Sequence, residues 1–124
     1  GRRSGKRPPI AAILKWIVDN YRQAITVEKL ADMAAMSPRN FARVFVRETG
    51  VTPARYVEQC RLEQAIRMIE DTSKPMETLA WESGFHNAEH LRRASMRNLG
   101  ITPQAYRERF QSACHHEPLP RKET

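Results

Sequence analysis

The feature that most constrains this chain is that it repeats itself once. Leu30-Ala31 recurs as Leu79-Ala80, and Met36 as Phe85, both at an offset of 49 residues. One residue is then inserted. At an offset of 50, Phe41 meets Leu91, Arg43 meets Arg93, Arg47 meets Arg97 and Gly50 meets Gly100. Val51-Thr52-Pro53 likewise meets Ile101-Thr102-Pro103, and Tyr56 meets Tyr106. A repeat of this period means one supersecondary unit used twice. Each copy reads as a short helix, a tight turn, a longer basic helix, a glycine and a Thr-Pro restart. That order predicts a helix-turn-helix present in two copies.

The local signals agree. Ile10, Ile13, Leu14, Ile17 and Tyr21 follow the 3.6-residue period behind Pro8-Pro9. Thr26 is placed to cap a short helix with Val27, Leu30, Ala31 and Ala34 on one face. Ser37-Pro38 restarts the chain, with Ser as N-cap and Pro at the first helical position, where its missing N–H costs nothing. Gly50 then sits where a left-handed stop is wanted. Thr52-Pro53 opens a long helix to about Glu70, with Tyr56, Val57, Cys60, Leu62, Ala65, Ile66 and Ile69 apolar. In the second copy Pro75 begins a short helix that ends at Gly84-Phe85. Asn87 caps a helix with Leu91, Ala94 and Leu99, and Thr102-Pro103 starts the last one, to about Phe110. Residues 112–124 show no periodicity and read as a frayed tail.

The expected fold is all-α, about seven helices in two homeodomain-like helix-turn-helix subdomains joined by a long linker helix. The expected boundaries are a basic linker over 1–9, a first subdomain over 10–51, a linker helix over 52–71, a second subdomain over 72–111 and a tail over 112–124. The linker helix, some 19 residues, would be roughly 28 Å long at 1.5 Å per residue. That is near the ~34 Å between successive major grooves on one face of B-DNA, so one chain could read two adjacent grooves.

Charge narrows the partner. The 124 residues carry 21 Lys+Arg against 14 Asp+Glu, a net charge of +7. Residues 1–9 hold four of these charges and no acid, a pattern that also suits a solvated linker. The rest is concentrated on two helices. Residues 37–49 and 86–98 each hold three Arg against one Glu. Arg39, Arg43 and Arg47 are spaced by four and share one helix face, opposite Phe41, Val44 and Phe45. The second copy presents Glu89, His90, Arg92, Arg93 and Arg97. A recognition helix needs a buried apolar face and outward side chains that reach base edges, with Arg able to bond guanine bidentately. One such helix is commonly just a solvated face; two in register, each behind its own short helix and turn, point to double-stranded DNA.

The residues resemble the AraC/XylS family of transcriptional regulators over about 10–110. Thr26-Val27-Glu28-Lys29-Leu30-Ala31, Met36 to Phe45 and Glu48 to Pro53 follow that family's first helix-turn-helix. Arg61-Leu62-Glu63-Gln64-Ala65 matches its linker helix. Gly84-Phe85 and Gly100 to Arg107 match the signature of its second motif. Ser37 to Phe45, with Ala88-Glu89-His90-Leu91-Arg92-Arg93, is most similar to the subgroup with an N-terminal DJ-1/PfpI (glutamine amidotransferase-like) domain. The resemblance implies base contacts from Arg39, Ala42 and Arg43 in the first motif. In the second it implies them from Ala88, Glu89, His90, Arg92 and Arg93. Phosphate contacts would come from Asn40, Arg47 and Arg97 and from the backbone N–H groups near Val27 and Met76. It also implies a bacterial transcription factor, cytoplasmic and at the nucleoid, with RNA polymerase as partner. An N-terminal effector or dimerisation domain would lie outside this chain, and the isolated module would be a monomer.

The family's usual Phe is Ser95 here, although the first copy keeps it as Phe45. Losing a buried Phe typically costs about 3–5 kcal/mol unless neighbours fill the space. Trp81 and Met96 are the candidates to fill it, and the second subdomain is expected to be the less stable one.

Competing chemistry is weaker. His86-Asn87-Ala88-Glu89-His90 fits the H-x-x-E-H zinc-peptidase pattern, which needs both His on one continuous helix and a further ligand. Asn87 as N-cap would leave His86 in the turn. Cys114-His115-His116 could scavenge a metal but offers no fixed geometry. Two cysteines, Cys60 and Cys114, fit a reducing compartment better than a disulfide scaffold. Trp16 and Trp81 read as core, and Cys60 as a small core residue. No apolar run spans a membrane and no signal peptide is visible. No enzyme activity, cofactor or metal is expected. The runner-up function is a helical protein-interaction or regulatory module that keeps the fold without specific DNA binding.

Overall fold

A computed structural model describes residues 10–116. The basic segment 1–9 and the end of the tail lie outside the described residues. Seven helices follow one another: α1 Ile10–Asn20, α2 Val27–Met33, α3 Pro38–Thr49, α4 Pro53–Asp71, α5 Met76–Glu82, α6 Ala88–Leu99 and α7 Pro103–His116. No strand occurs among the described residues.

The caps do what the sequence asks. Thr26, Ser37 and Asn87 side chains accept from the backbone N–H of Lys29, Asn40 and His90. Thr52 and Thr102 do the same for Arg55 and Ala105. Each bond satisfies one of the donors a helix start leaves orphaned. Gly50 and Gly100 close α3 and α6 in the left-handed conformation, at φ 84° and 73°. Pro75 is the N-cap of α5 rather than its first residue, and it supplies no side-chain bond.

The chain divides into two compact units, residues 1–61 and 62–124. The division falls inside α4, not at its ends. The burial pattern explains why. Ile10, Ile13 and Ile17 of α1 are buried, and so are Leu62, Ala65 and Ile69 in the second half of α4, at the same spacing. The second half of α4 therefore opens the second unit as α1 opens the first. The first half, with Val57 buried, closes the first unit as α7 closes the second.

In the first unit Ile10, Ile13, Ile17, Leu30, Ala31, Ala34, Phe41, Phe45 and Val57 form the core. The Phe41 and Phe45 rings lie 5.6 Å apart, and Tyr56 meets Phe45 edge-on at 5.9 Å. Arg61 ties α4 to the loop after α1: its Nε and Nη2 donate to the carbonyls of Tyr21 and Gln23 at 2.7 and 2.8 Å. Burial lowers the pKa of this guanidinium from its ordinary value.

In the second unit Leu62, Ala65, Ala80, Phe85, Leu91 and Ala94 pack together, and Ile69 and Leu79 are buried as well. Ser95 is fully buried there, and its Oγ donates to the Ile101 carbonyl at 2.5 Å. Trp81 and Met96 do not fill the space. They are 68% and 43% exposed. The reason is register. Their counterparts in the first copy, Asp32 and Val46, are also exposed, so these positions face outward in both units. Val57 of the first core is replaced by Arg107, whose Nε and Nη2 are buried without a hydrogen-bond partner among the described residues. Trp16 is partly buried against the first core, as expected, with Lys29 Nζ 5.7 Å from its ring centre. Cys60 is partly buried against the same core.

The last helix is also longer than its periodicity foretold. It runs to His116, so residues 112–116, expected as part of a frayed tail, are helical. That stretch contains neither Gly nor Pro, and the first breaker is Pro118.

Candidate nucleic-acid interface

Each unit carries the same turn. Met36 N–H donates to Ala31 O at 3.0 Å, and Phe85 N–H donates to Ala80 O at 2.8 Å. The tight left-handed position falls on Ala35 at φ 57° in one copy and on Gly84 at φ 98° in the other. These turns join α2 to α3 and α5 to α6. The apolar sides of α3 and α6 are buried through Phe41 and Phe45, and through Leu91, Ala94 and Ser95. Their opposite sides are thereby committed to the surface.

On α3 the residues singled out as base readers are Arg39, Ala42 and Arg43. The two arginines are exposed and Ala42 is half-buried. Arg43 Nη2 donates to Asn40 Oδ1 at 2.7 Å. Asn40, assigned to phosphate, thus also orients a neighbouring guanidinium. Arg47 is exposed in the last turn, where a cation suits the negative end of the helix. On α6, Glu89, His90, Arg92 and Arg93 are exposed and Ala88 is half-buried. Arg97 occupies the last turn, as Arg47 does in the first copy. Val27 and Met76 are the first residues of α2 and α5, each followed by an acid, Glu28 or Glu77.

Glu89 is paired along its own helix. Glu89 Oε1 accepts from Arg92 Nε at 2.9 Å, and Oε2 accepts from Arg92 Nη2 at 2.7 Å and Arg93 Nε at 3.1 Å. The signal was available, because Glu89 is three and four residues from the two arginines. Hydrogen bonds from Arg92, then Arg93, hold the Glu89 carboxyl down at about 2. The same pairing raises the pKa of Arg92.

The zinc-peptidase geometry is not built. Asn87 is the N-cap of α6, so His86 lies before the helix, and Glu89 faces arginines. The His86 and His90 rings lie 5.7 Å apart. No group of three or more His, Cys, Asp or Glu side chains converges among the described residues. No helix among these residues is long and apolar enough to cross a membrane.

Known proteins share this arrangement. A family model described as a helix-turn-helix domain matches residues 30–109. The HTH-type transcriptional regulator Rv1931c of Mycobacterium tuberculosis is 46% identical over 84 residues, covering 68% of this chain and 32% of that protein. The DNA-binding domain of AdpA, a global transcriptional factor solved in complex with a target DNA, is 31% identical with a TM-score of 0.78. The match covers 90% of this chain and 98% of that one. A probable AraC family transcriptional regulator from Rhodopseudomonas palustris is 26% identical with a TM-score of 0.72, over 82% and 95% of the two chains. The chain belongs to the AraC family. The seven helices of the described residues form a sequence-specific DNA-binding domain of the AraC type. This AraC-type domain spans about a third of the length of the first curated relatives it matches.

Proposed function

We propose that this domain reads operator DNA through the exposed faces of α3 and α6, each laid in a major groove. The observation that carries the reading is the duplicated geometry: the same turn, the same buried face and an arginine-bearing outer face, built twice in one chain. Arg39 and Arg43 of α3 and Arg92 and Arg93 of α6 address base edges, with His90 beside them. Ala42 and Ala88 offer apolar contact to a thymine methyl. Glu89 sits among these readers. Asn40, Arg47 and Arg97, with the first-turn backbone N–H groups at Val27 and Met76, address phosphates. The two helices read adjacent major grooves, so one monomer recognises an asymmetric site.

Titration of a selected duplex against salt tests this. Arg47→Ala should weaken cognate and random duplexes alike and flatten the slope of log K against log salt by about 0.9. Arg43→Ala and Arg93→Ala should each lose about 1–3 kcal/mol on the cognate duplex and far less on random DNA. Uniform losses from the latter two would make them phosphate contacts. If no duplex outcompetes random DNA, the interaction-module reading replaces this one.

The parent protein is proposed to carry an N-terminal effector or dimerisation domain of the DJ-1/PfpI type and to act on RNA polymerase in the bacterial cytoplasm, at the nucleoid. The subgroup-like wording of residues 37–45 and 88–93 and the greater length of the relatives support this. The mass of the native gene product and in vitro transcription with purified polymerase test the two parts separately.

A further inference from the structure

The two outer faces differ in one respect that sequence similarity conceals. At the position where α3 has Arg39, α6 has Glu89, and its carboxylate is engaged by two guanidinia on the same helix. In the first motif the acceptor beside Arg43 is the neutral Asn40.

The geometry of the engaged edges matters. A guanidinium carries five N–H donors on a rigid planar fork. Glu89 takes Nε of Arg93, and Nε with one N–H of Nη2 on Arg92. On both side chains the end formed by Nη1 and Nη2 points no further bond at any described residue. That end matches O6 and N7 of guanine. Two long, rotamer-rich side chains are thus held before DNA arrives, which lowers the ordering cost of binding. The same carboxylate offsets one positive charge and repels phosphate. A nonspecific complex depends almost wholly on phosphate neutralisation, so it loses more than a specific one. All three side chains are roughly half-exposed or more, so the clamp lies on the surface that would meet DNA.

We propose that Glu89 is a positioning residue that sets the sequence discrimination of the second motif, aiming Arg92 and Arg93 at guanine edges and weakening their capture by phosphate. The inference rests on α6 lying in the major groove. The carboxylate is ionised at neutral pH, and its bonds to Arg92 and Arg93 carry that charge down to far more acid conditions.

The test compares wild type, Glu89→Gln and Glu89→Asp on a selected duplex and a random duplex across a salt series. Glu89→Gln should bind random DNA about 3–10-fold tighter at low salt, with a slope steeper by about 0.9. Its ratio of specific to random affinity should fall about tenfold. Glu89→Asp keeps the charge but is too short to span both arginines. Its random-DNA affinity and salt slope should stay near wild type while the ratio falls.

Unchanged ratios in both variants overturn the proposal. A Gln variant that weakens only the specific complex, at wild-type salt slope, makes Glu89 a direct base contact and overturns it too. If wild type itself prefers no duplex, the groove assignment falls, and the proposal with it. Arginine Nε–H resonances of the free wild-type protein give a readout independent of variant folding. Arg92 and Arg93 should be protected and shifted relative to Arg39, and resonances alike in all three contradict the clamp.

Discussion

Ala35 holds a left-handed turn at φ 57° without being glycine. That conformation crowds a Cβ against the following carbonyl. The second copy resolves the problem with Gly84. Ala35→Gly should therefore stabilise the first unit by about 0.5–1 kcal/mol, seen as a higher denaturation midpoint. A lower midpoint would mean that the turn's strain is already relieved. Ser95 poses the converse case. Its hydroxyl is bonded to Ile101 O inside a closed core, so restoring the aromatic overpacks the site. Ser95→Phe should cost about 1–3 kcal/mol in chemical denaturation. Adding Arg107→Val, which gives the second unit the residue types that the first core has at Phe45 and Val57, should recover most of that loss; additive losses would contradict the exchange. Glu89 gives a pH signature. Its folded-state value lies below the ordinary 4.5, so its contribution is complete above about 4.5 and is lost as pH falls toward about 2. A carboxyl-carbon titration with a midpoint near 4.5 would deny the pairing with Arg92 and Arg93.

Among the elements, α4 does two jobs. Its first half closes one core and its second half opens the next. Arg61, at the division, holds the loop after α1 by two charge-assisted bonds to carbonyls. Arg61→Ala should cost about 2 kcal/mol in the first unit. Arg61→Lys should recover little, since an ammonium cannot reproduce the fork. Recovery by Lys would reduce the interaction to simple charge. Most helix ends were legible because they are written in local chemistry: Thr26, Ser37, Asn87 and the Thr-Pro pairs as caps, Gly50 and Gly100 as stops. What the sequence concealed has definite causes. Trp81 lies on a seven-residue helix, too short for periodicity to assign a face. The repeat's own register, which sets it at the position of the polar Asp32, was the available signal for its exposure. The end of α7 was misplaced because lack of apolar period was read as lack of helix. The match between α1 and the second half of α4 was missed because the pattern of Ile10, Ile13 and Ile17 recurs as Leu62, Ala65 and Ile69, at a different offset from the rest of the repeat.

For the molecule as a whole, two units of one design have unlike cores: Phe45 and Val57 of the first are Ser95 and Arg107 at the matching positions of the second. Hydrogen exchange should show weaker protection over residues 88–98 than over 38–48. Equal or greater protection in the second unit would refute the ranking. The proposed function follows from the duplication, since two outward arginine faces would let one chain read more of an operator than one motif could. The recognition faces were readable because a buried stripe dictates an exposed one. The Glu89 clamp was legible only as a spacing, three and four residues to Arg92 and Arg93, and spacing alone does not say which charges pair. The central claim is that α3 and α6 read different bases. Its most direct test is a position-by-position base-preference profile, selected from random duplexes, for wild type, Arg43→Ala and Arg93→Ala. Two non-overlapping sets of base pairs should lose their preference, one set per variant. Preferences that fade together across the whole site, or no preference in the wild type, would contradict the account.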